Sequence, residues 1–210
     1  PKTPRRQRQM CIRDRGLDPQ NRLLSRMPLR RMNAEALRDS LLAVAGKLDR
    51  SGGGPPDTIR VDRNGLVSVS PTPKGNWRRS VYLQYRRTEV PSMMATFDYP
   101  EMGPNCLSRS VSTVSPQSLM LMNNRHVREL ASAFAERVAK LASPDGELNL
   151  ETAVQAVYRL ALSRNPSDDE SELGVRILTK LQEEWRGNSQ AALETYCHTI
   201  LNSAAFLYVD

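Results

Sequence analysis

At 210 residues, with 39% apolar and 25% charged side chains, the chain is long enough to bury a core, and it holds no apolar run of about eighteen residues that could cross a membrane as a helix. The formal charge of +7 gathers at the start: residues 1–15 carry six basic side chains against Asp14 alone, leaving 24 basic and 22 acidic side chains in the rest. So balanced a body argues against a nucleic-acid partner, which needs a basic face.

The string Arg6 to Arg15, RQRQMCIRDR, resembles translated sequencing-adapter read-through of the kind met in metagenomic contigs. Residues 1–15 are therefore expected to add nothing to the fold, a disordered basic arm being the competing reading. They show neither the apolar centre nor the small-residue cleavage site of a secretory signal. From residue 16 onward the pattern predicts a single α-rich domain, 16–210, with a β insertion at about 57–87.

Asp18-Pro19 reads as a helix cap followed by a first-turn proline, opening a short segment through Leu23, Leu24 and Met27 that Pro28 breaks. Asn33 caps an amphipathic helix, AEALRDSLLAVAGKLDR, with Leu37, Leu41, Val44 and Leu48 on one face. A Gly-Pro loop follows, too short and wrongly placed to cradle phosphate. Residues 57–70 predict a β-hairpin turning at Asn64-Gly65. Val81, Leu83 and Tyr85 alternate with polar neighbours as a third, antiparallel strand would.

Ser92 to Asp98 suggests one helical turn or an irregular apolar segment, and Tyr99 to Val114 a long polar loop. A helix starts at Ser115-Pro116; Asn123-Asn124 breaks and recaps it, and Val127, Leu130, Phe134, Val138 and Leu141 form the next apolar stripe. A helix near 150–163 stops at Asn165-Pro166. The capping box Ser167 to Glu170 opens another, with Leu173, Ile177, Leu178, Leu181 and Trp185 on one face. Gly187 closes it, and Ser189 caps the last, which carries Leu193, Tyr196, Ile200 and Leu201. The fold class expected is thus mainly α: a helical bundle with a small antiparallel hairpin or three-strand patch.

Six blocks in this order carry a resemblance: NRLLSRMPLRRMNAEALRDSLLAVAGKLD (Asn21 to Asp49), RRSVYLQYRR (Arg78 to Arg87), MMATFDYP (Met93 to Pro100), TVSPQSLMLMNN (Thr113 to Asn124), AVYRLALSRNPSDDE (Ala156 to Glu170) and ILNSAAFLYVD (Ile200 to Asp210). They are similar to the planctomycete cytochrome-associated C-terminal domain, the domain of unknown function numbered fifteen fifty-three. The resemblance implies the C-terminal part of a large secreted, periplasmic or cell-surface protein. Its upstream domains would be this domain's partners, and haem c would sit only in upstream cytochrome-type modules with C-x-x-C-H sites. It also implies redox work on, or binding of, extracellular carbohydrate, with a non-catalytic interaction or scaffold module as the alternative. No catalytic residues transfer.

The residues themselves offer little chemistry. No triad or carboxylate pair marks an independent hydrolase, and no cofactor is expected within these residues. His126 and His198 lack neighbours at ligand spacing and read as packed or surface side chains. Met93, Met94, Met120 and Met122 read as core filler, and Cys106 and Cys197 as buried free thiols, a single bridge being the other possibility. Asp98, Asn105, Arg109 and Asn123 could converge on a polar pocket beside Phe97 and Tyr99, suited to sugar hydroxyls. The competing reading is that they satisfy loop backbone. The pairs Arg30-Arg31, Arg78-Arg79 and Arg86-Arg87 could meet anionic polysaccharide or be salt-bridged.

Overall fold

In the computed structural model, which describes residues 16, 18–23, 27, 29–86, 88–100, 106, 108–143 and 148–209, Asp18 accepts the backbone N–H groups of Arg22 (2.9 Å) and Leu23 (2.8 Å). This is a capped turn, ended by Asn21 at φ 51°. Leu24, Pro28 and the first fifteen residues lie outside the described set. Strand β1 (Arg30–Arg31) leads to helix α1 (Ala34–Val44), capped by Asn33, whose carboxamide oxygen accepts the Ala36 N–H.

Helix α1 ends six residues sooner than its pattern suggests. Gly46 takes φ 69°, its N–H bonds the Ala43 carbonyl and that of Lys47 the Leu42 carbonyl. That pair of bonds is the Schellman arrangement, which needs a left-handed residue and favours glycine. Leu37 and Leu41 are fully buried as expected, but Leu48 falls in strand β2 (Leu48–Asp49) rather than on the helix.

The hairpin forms as β3 (Ile59–Val61) against β4 (Val67–Val69), antiparallel, with Val61 opposite Val67. Its turn differs from the two-residue type expected. Only Gly65 has positive φ (79°); the Asp62 carboxylate accepts the N–H groups of Asn64 and Leu66, and Gly65 N–H returns to the Asp62 carbonyl. An ordinary turn followed by one left-handed glycine does the work of an Asn-Gly pair.

The third strand does not form. Val81, Leu83 and Tyr85 were expected to alternate in a sheet, but Ser80–Tyr82 is a 3₁₀ turn and Val81 is 74% exposed. The pairing belongs to the residues just before it, β5 (Trp77–Arg78), which runs parallel to β2. Arg78 then stitches the Gly-Pro loop down: it donates to Asp57 Oδ1 from Nε (2.8 Å) and Nη2 (2.7 Å) and to the Gly53 carbonyl, with its guanidinium 4.8 Å over the Tyr82 ring.

Next come α2 (Ser92–Thr96), α3 (Ser115–Asn123), α4 (Arg125–Ala142), α5 (Leu150–Leu162), α6 (Asp168–Glu184), α7 (Ser189–Leu201) and α8 (Ala204–Leu207), then β6 (Tyr208–Val209), antiparallel to β1. The fold is mainly helical with small two-stranded sheets, as the pattern predicts. Helices α4 to α7 close a ring in which each packs on the next and α7 returns to α4. Phe134, Val138, Val154, Val157, Leu178 and Leu193 fill it, and α1 leans on α4 from outside with Leu37 and Leu41.

Several stripe positions differ from expectation. Leu141, Leu173 and Trp185 are 56%, 45% and 49% exposed, while Ala142 and Gly174, one residue further on, face inward. The capping box is present: Ser167 N–H meets Glu170 Oε2 (2.8 Å) and Glu170 N–H meets Ser167 Oγ (3.3 Å). The forked hydrogen bonds from Arg164, ahead of the cap itself, pull the Glu170 carboxyl down to about 2. Helix α7 is capped by Asn188, one residue before the serine expected.

Asn124 ends α3 and starts α4, its carboxamide oxygen accepting from His126 N (2.9 Å) and Val127 N (3.3 Å). Asn124→Ala strips both donors and is expected to lower stability by about 1 kcal/mol, with Asn124→Asp retaining most of it. Urea midpoints of the three proteins check this.

Candidate functional site

The polar residues singled out in the sequence sit around the long loop between α2 and α3. Asp98 closes α2 in a left-handed conformation, φ 60°, which aspartate tolerates better than most side chains. Its carboxylate accepts from Arg31 Nη2 (2.5 Å), from the Ser112 backbone (2.8 Å) and hydroxyl (2.8 Å), and weakly from Gln117 Nε2 (3.4 Å). Burial, the largest single influence, raises its pKa, but Ser112, Arg31 and Gln117 together hold the carboxyl below the usual carboxylate range. Gln117 also donates to the Thr96 carbonyl and Ser112 Oγ, tying α3 to α2. The Arg31 guanidinium lies 5.2 Å over Phe97 with its side chain 3% exposed, and its Nε and Nη1 have no hydrogen-bond partner among the described residues.

Arg109, on the far arm of the loop, forks onto Glu35 in the first turn of α1: Nη1 to Oε2 and Nη2 to Oε1, both 2.9 Å. Tyr99 lies beside this pair; burial first, then the charge of Glu35, pushes its phenol up, with Arg109 opposing. Its ring is 6.2 Å from that of Tyr85, at 37°. Asn105 lies outside the described residues. Asn123 is exposed at the last residue of α3, the opposite end from Gln117, and joins none of these contacts. Phe97 is 1% exposed and sits beneath Arg31 rather than facing a ligand.

Of the expected four, then, Asp98 and Arg109 occupy neighbouring stretches of one loop, each clamped by a charged residue near the start of α1. Arg31, Ser112, Gln117, Glu35 and Tyr85 are the members that sequence reasoning missed. Only the doubled arginines at 30–31 hinted at one of them.

Elsewhere, His198 donates from Nε2 to the Leu121 carbonyl (3.0 Å), and no group of three His, Cys, Asp or Glu side chains able to hold a metal occurs among the described residues. Cys197 is buried, its thiol pushed up by that burial and by Glu194, whereas Cys106 is exposed rather than buried; both are free. Met94 is core, while Met122 is 54% exposed. Arg31, Arg78, Arg79 and Arg86 are engaged by Asp98, Asp57, Asp39 and Glu89, and Arg87 lies outside the described residues. An open depression of about 530 Å³ between α5 and α6 is edged by Glu151, Asp168, Glu172 and Arg176.

His126 joins the bundle to the β region. Its ring meets Trp77 edge to face at 4.7 Å, and Trp77 Nε1–H in turn donates to the Val69 carbonyl. Burial, then nearby Arg38, lowers its pKa against the opposing pull of Glu129. Because the folded state disfavours the proton, this stability is whole above the unfolded value of about 6.5 and is lost as pH falls through the folded value. Urea midpoints should drop as the pH is lowered from 7 to 5, and His126→Gln should flatten part of that slope.

A family model described as "PSD1: Protein of unknown function (DUF1553)" matches residues 3–178, most of the chain. The chain belongs to that family. The match takes in the Asp98 cluster and the Glu35–Arg109 pair, and ends within α6, before α7, α8 and β6. No curated protein and no solved structure matches. No helix among the described residues of this DUF1553 chain is long and apolar enough to cross a membrane.

Proposed function

We propose that this DUF1553 domain is an auxiliary, C-terminal module of a larger secreted protein, linked there to cytochrome-c-type modules and working by contact rather than by chemistry of its own. The observation that carries this is α3. Between Ser110 and Asn124 the chain has no charged side chain, and α3 sends Leu121 into the core while Leu119 and Met122 stand 55% and 54% exposed. Val114, at its start, is 47% exposed. An uncharged helix, apolar on two faces, suits a second packing partner, since apolar area covered is worth about 25 cal/mol per Å². That partner is a neighbouring domain of the same polypeptide.

The internal engagement of Asp98 and Arg109 fits this reading, because each spends its charge on a residue at or just before the start of α1, Asp98 on Arg31 and Arg109 on Glu35. Carbohydrate is the ligand chemistry favoured for the module, supported by the tyrosine pair beside a forked ion pair. Hydrogen exchange tests the contact role. Amides of α3 should be slower to exchange in the full-length protein than in the 210-residue chain, and Leu119→Lys with Met122→Lys should abolish the difference. Equal exchange in both contexts would remove the proposal.

A further inference from the structure

We infer that the surface formed by Tyr85, Tyr99, Glu35 and Arg109 is a binding site for an uncharged hexose oligosaccharide; the inference rests on the carbohydrate reading of the module and gives it a location. Three separate stretches deliver these residues: Glu35 from the first turn of α1, Tyr85 from the segment after the 3₁₀ turn, and Tyr99 and Arg109 from the two arms of the loop between α2 and α3. Tyr85 is 41% exposed, and the 37° inclination of its ring to Tyr99 at 6.2 Å makes a shallow aromatic surface rather than a sealed stack. Pyranose rings present a patch of C–H groups to such surfaces.

The ion pair supplies the polar half. Its fork uses two of the five N–H donors of Arg109 and one lone-pair site on each Glu35 oxygen, and the side chains remain 44% and 26% exposed. Donor and acceptor capacity therefore stand side by side, which matches adjacent sugar hydroxyls, each able to give and to take a hydrogen bond. A uronate or sulfate would find the charge of Arg109 already balanced by Glu35 and would meet the carboxylate's repulsion. An uncharged sugar uses both groups without breaking their bond.

Isothermal titration of the 210-residue chain with β-1,4-linked gluco- and mannohexaose and β-1,3-linked glucohexaose, set beside hexagalacturonate and a sulfated hexasaccharide, tests the site. At least one uncharged sugar should bind saturably and more tightly than either acidic one. Tyr85→Ala should weaken it about tenfold with far-ultraviolet dichroism unchanged, and Tyr85→Phe should hold within about threefold. Binding that survives Tyr85→Ala would place the sugar elsewhere, sinking this site while leaving the carbohydrate reading intact. Preference for the acidic sugars would overturn the uncharged class, and no binding by any sugar would remove both the site and that reading.

Discussion

Replacing Asp98 with alanine is expected to destabilise the protein by about 3–5 kcal/mol, the range for breaking a buried ion pair from one side. Arg31 is the reason. Its side chain is 3% exposed, and among the described residues two of its three nitrogens lack hydrogen-bond partners and Asp98 is the carboxylate that pairs with it. The same substitution frees the Ser112 N–H and hydroxyl, and so the end of the loop that α3 grows from. Asp98→Asn should cost distinctly less, because asparagine tolerates φ 60° and still offers Ser112 an acceptor while removing the charge. Removing both charges together, Arg31→Met with Asp98→Ala, should cost less than the sum of the single changes. Urea unfolding of the four proteins measures the coupling, and additive losses would mean that the pair does not act as a pair.

A second large effect is expected at Gly174, in the middle of α6 and buried against α5 and α7. A Cβ there would stand 2.7 Å from Tyr196 Oη and 2.9 Å from both γ-carbons of Val154. Alanine would normally favour the helix by about 1 kcal/mol. Here overpacking, at about 1–3 kcal/mol, should outweigh it, since the tyrosine tip can swing but a β-branched valine inside a helix cannot. Gly174→Ala is therefore expected to lower Tm and Gly174→Val to lower it further. Adding Val154→Ala to Gly174→Ala should recover part of the loss. A stabilised Gly174→Ala would show that α6 can step away from Val154 at little cost.

The helices from Arg125 to Leu201 were readable because their information is local. Ser167 and Glu170 satisfy each other's backbone, Asn124 ends one helix and starts the next, and Val127, Leu130, Phe134 and Val138 recur at helical spacing. Departures there amount to one position: helical spacing points to Leu173 as inward, and Gly174 faces in. Between Leu48 and Leu83 the deciding contacts are distant. Trp77 pairs with Leu48, and nothing in Val81-Tyr82-Leu83 reveals that a 3₁₀ turn will replace the strand. The candidate site shows the same limit more sharply. Asp98 and Arg109 could be chosen by residue type, but their partners Arg31 and Glu35 lie 67 and 74 positions away. Only folding brings those charges together.

The short ribbon of β1 and β6 sets how the molecule would answer tension. Arg30 stands opposite Val209 and Arg31 opposite Tyr208, antiparallel, so the chain enters before Arg30 and leaves after Val209 on the same side of the ribbon. A pull on the two ends would load its hydrogen bonds one at a time, as a zipper is opened, instead of shearing them together. The ribbon would part at low force while the helical ring still held, drawing Arg31 away from Asp98 and turning strain along the polypeptide into a change at the loop between α2 and α3.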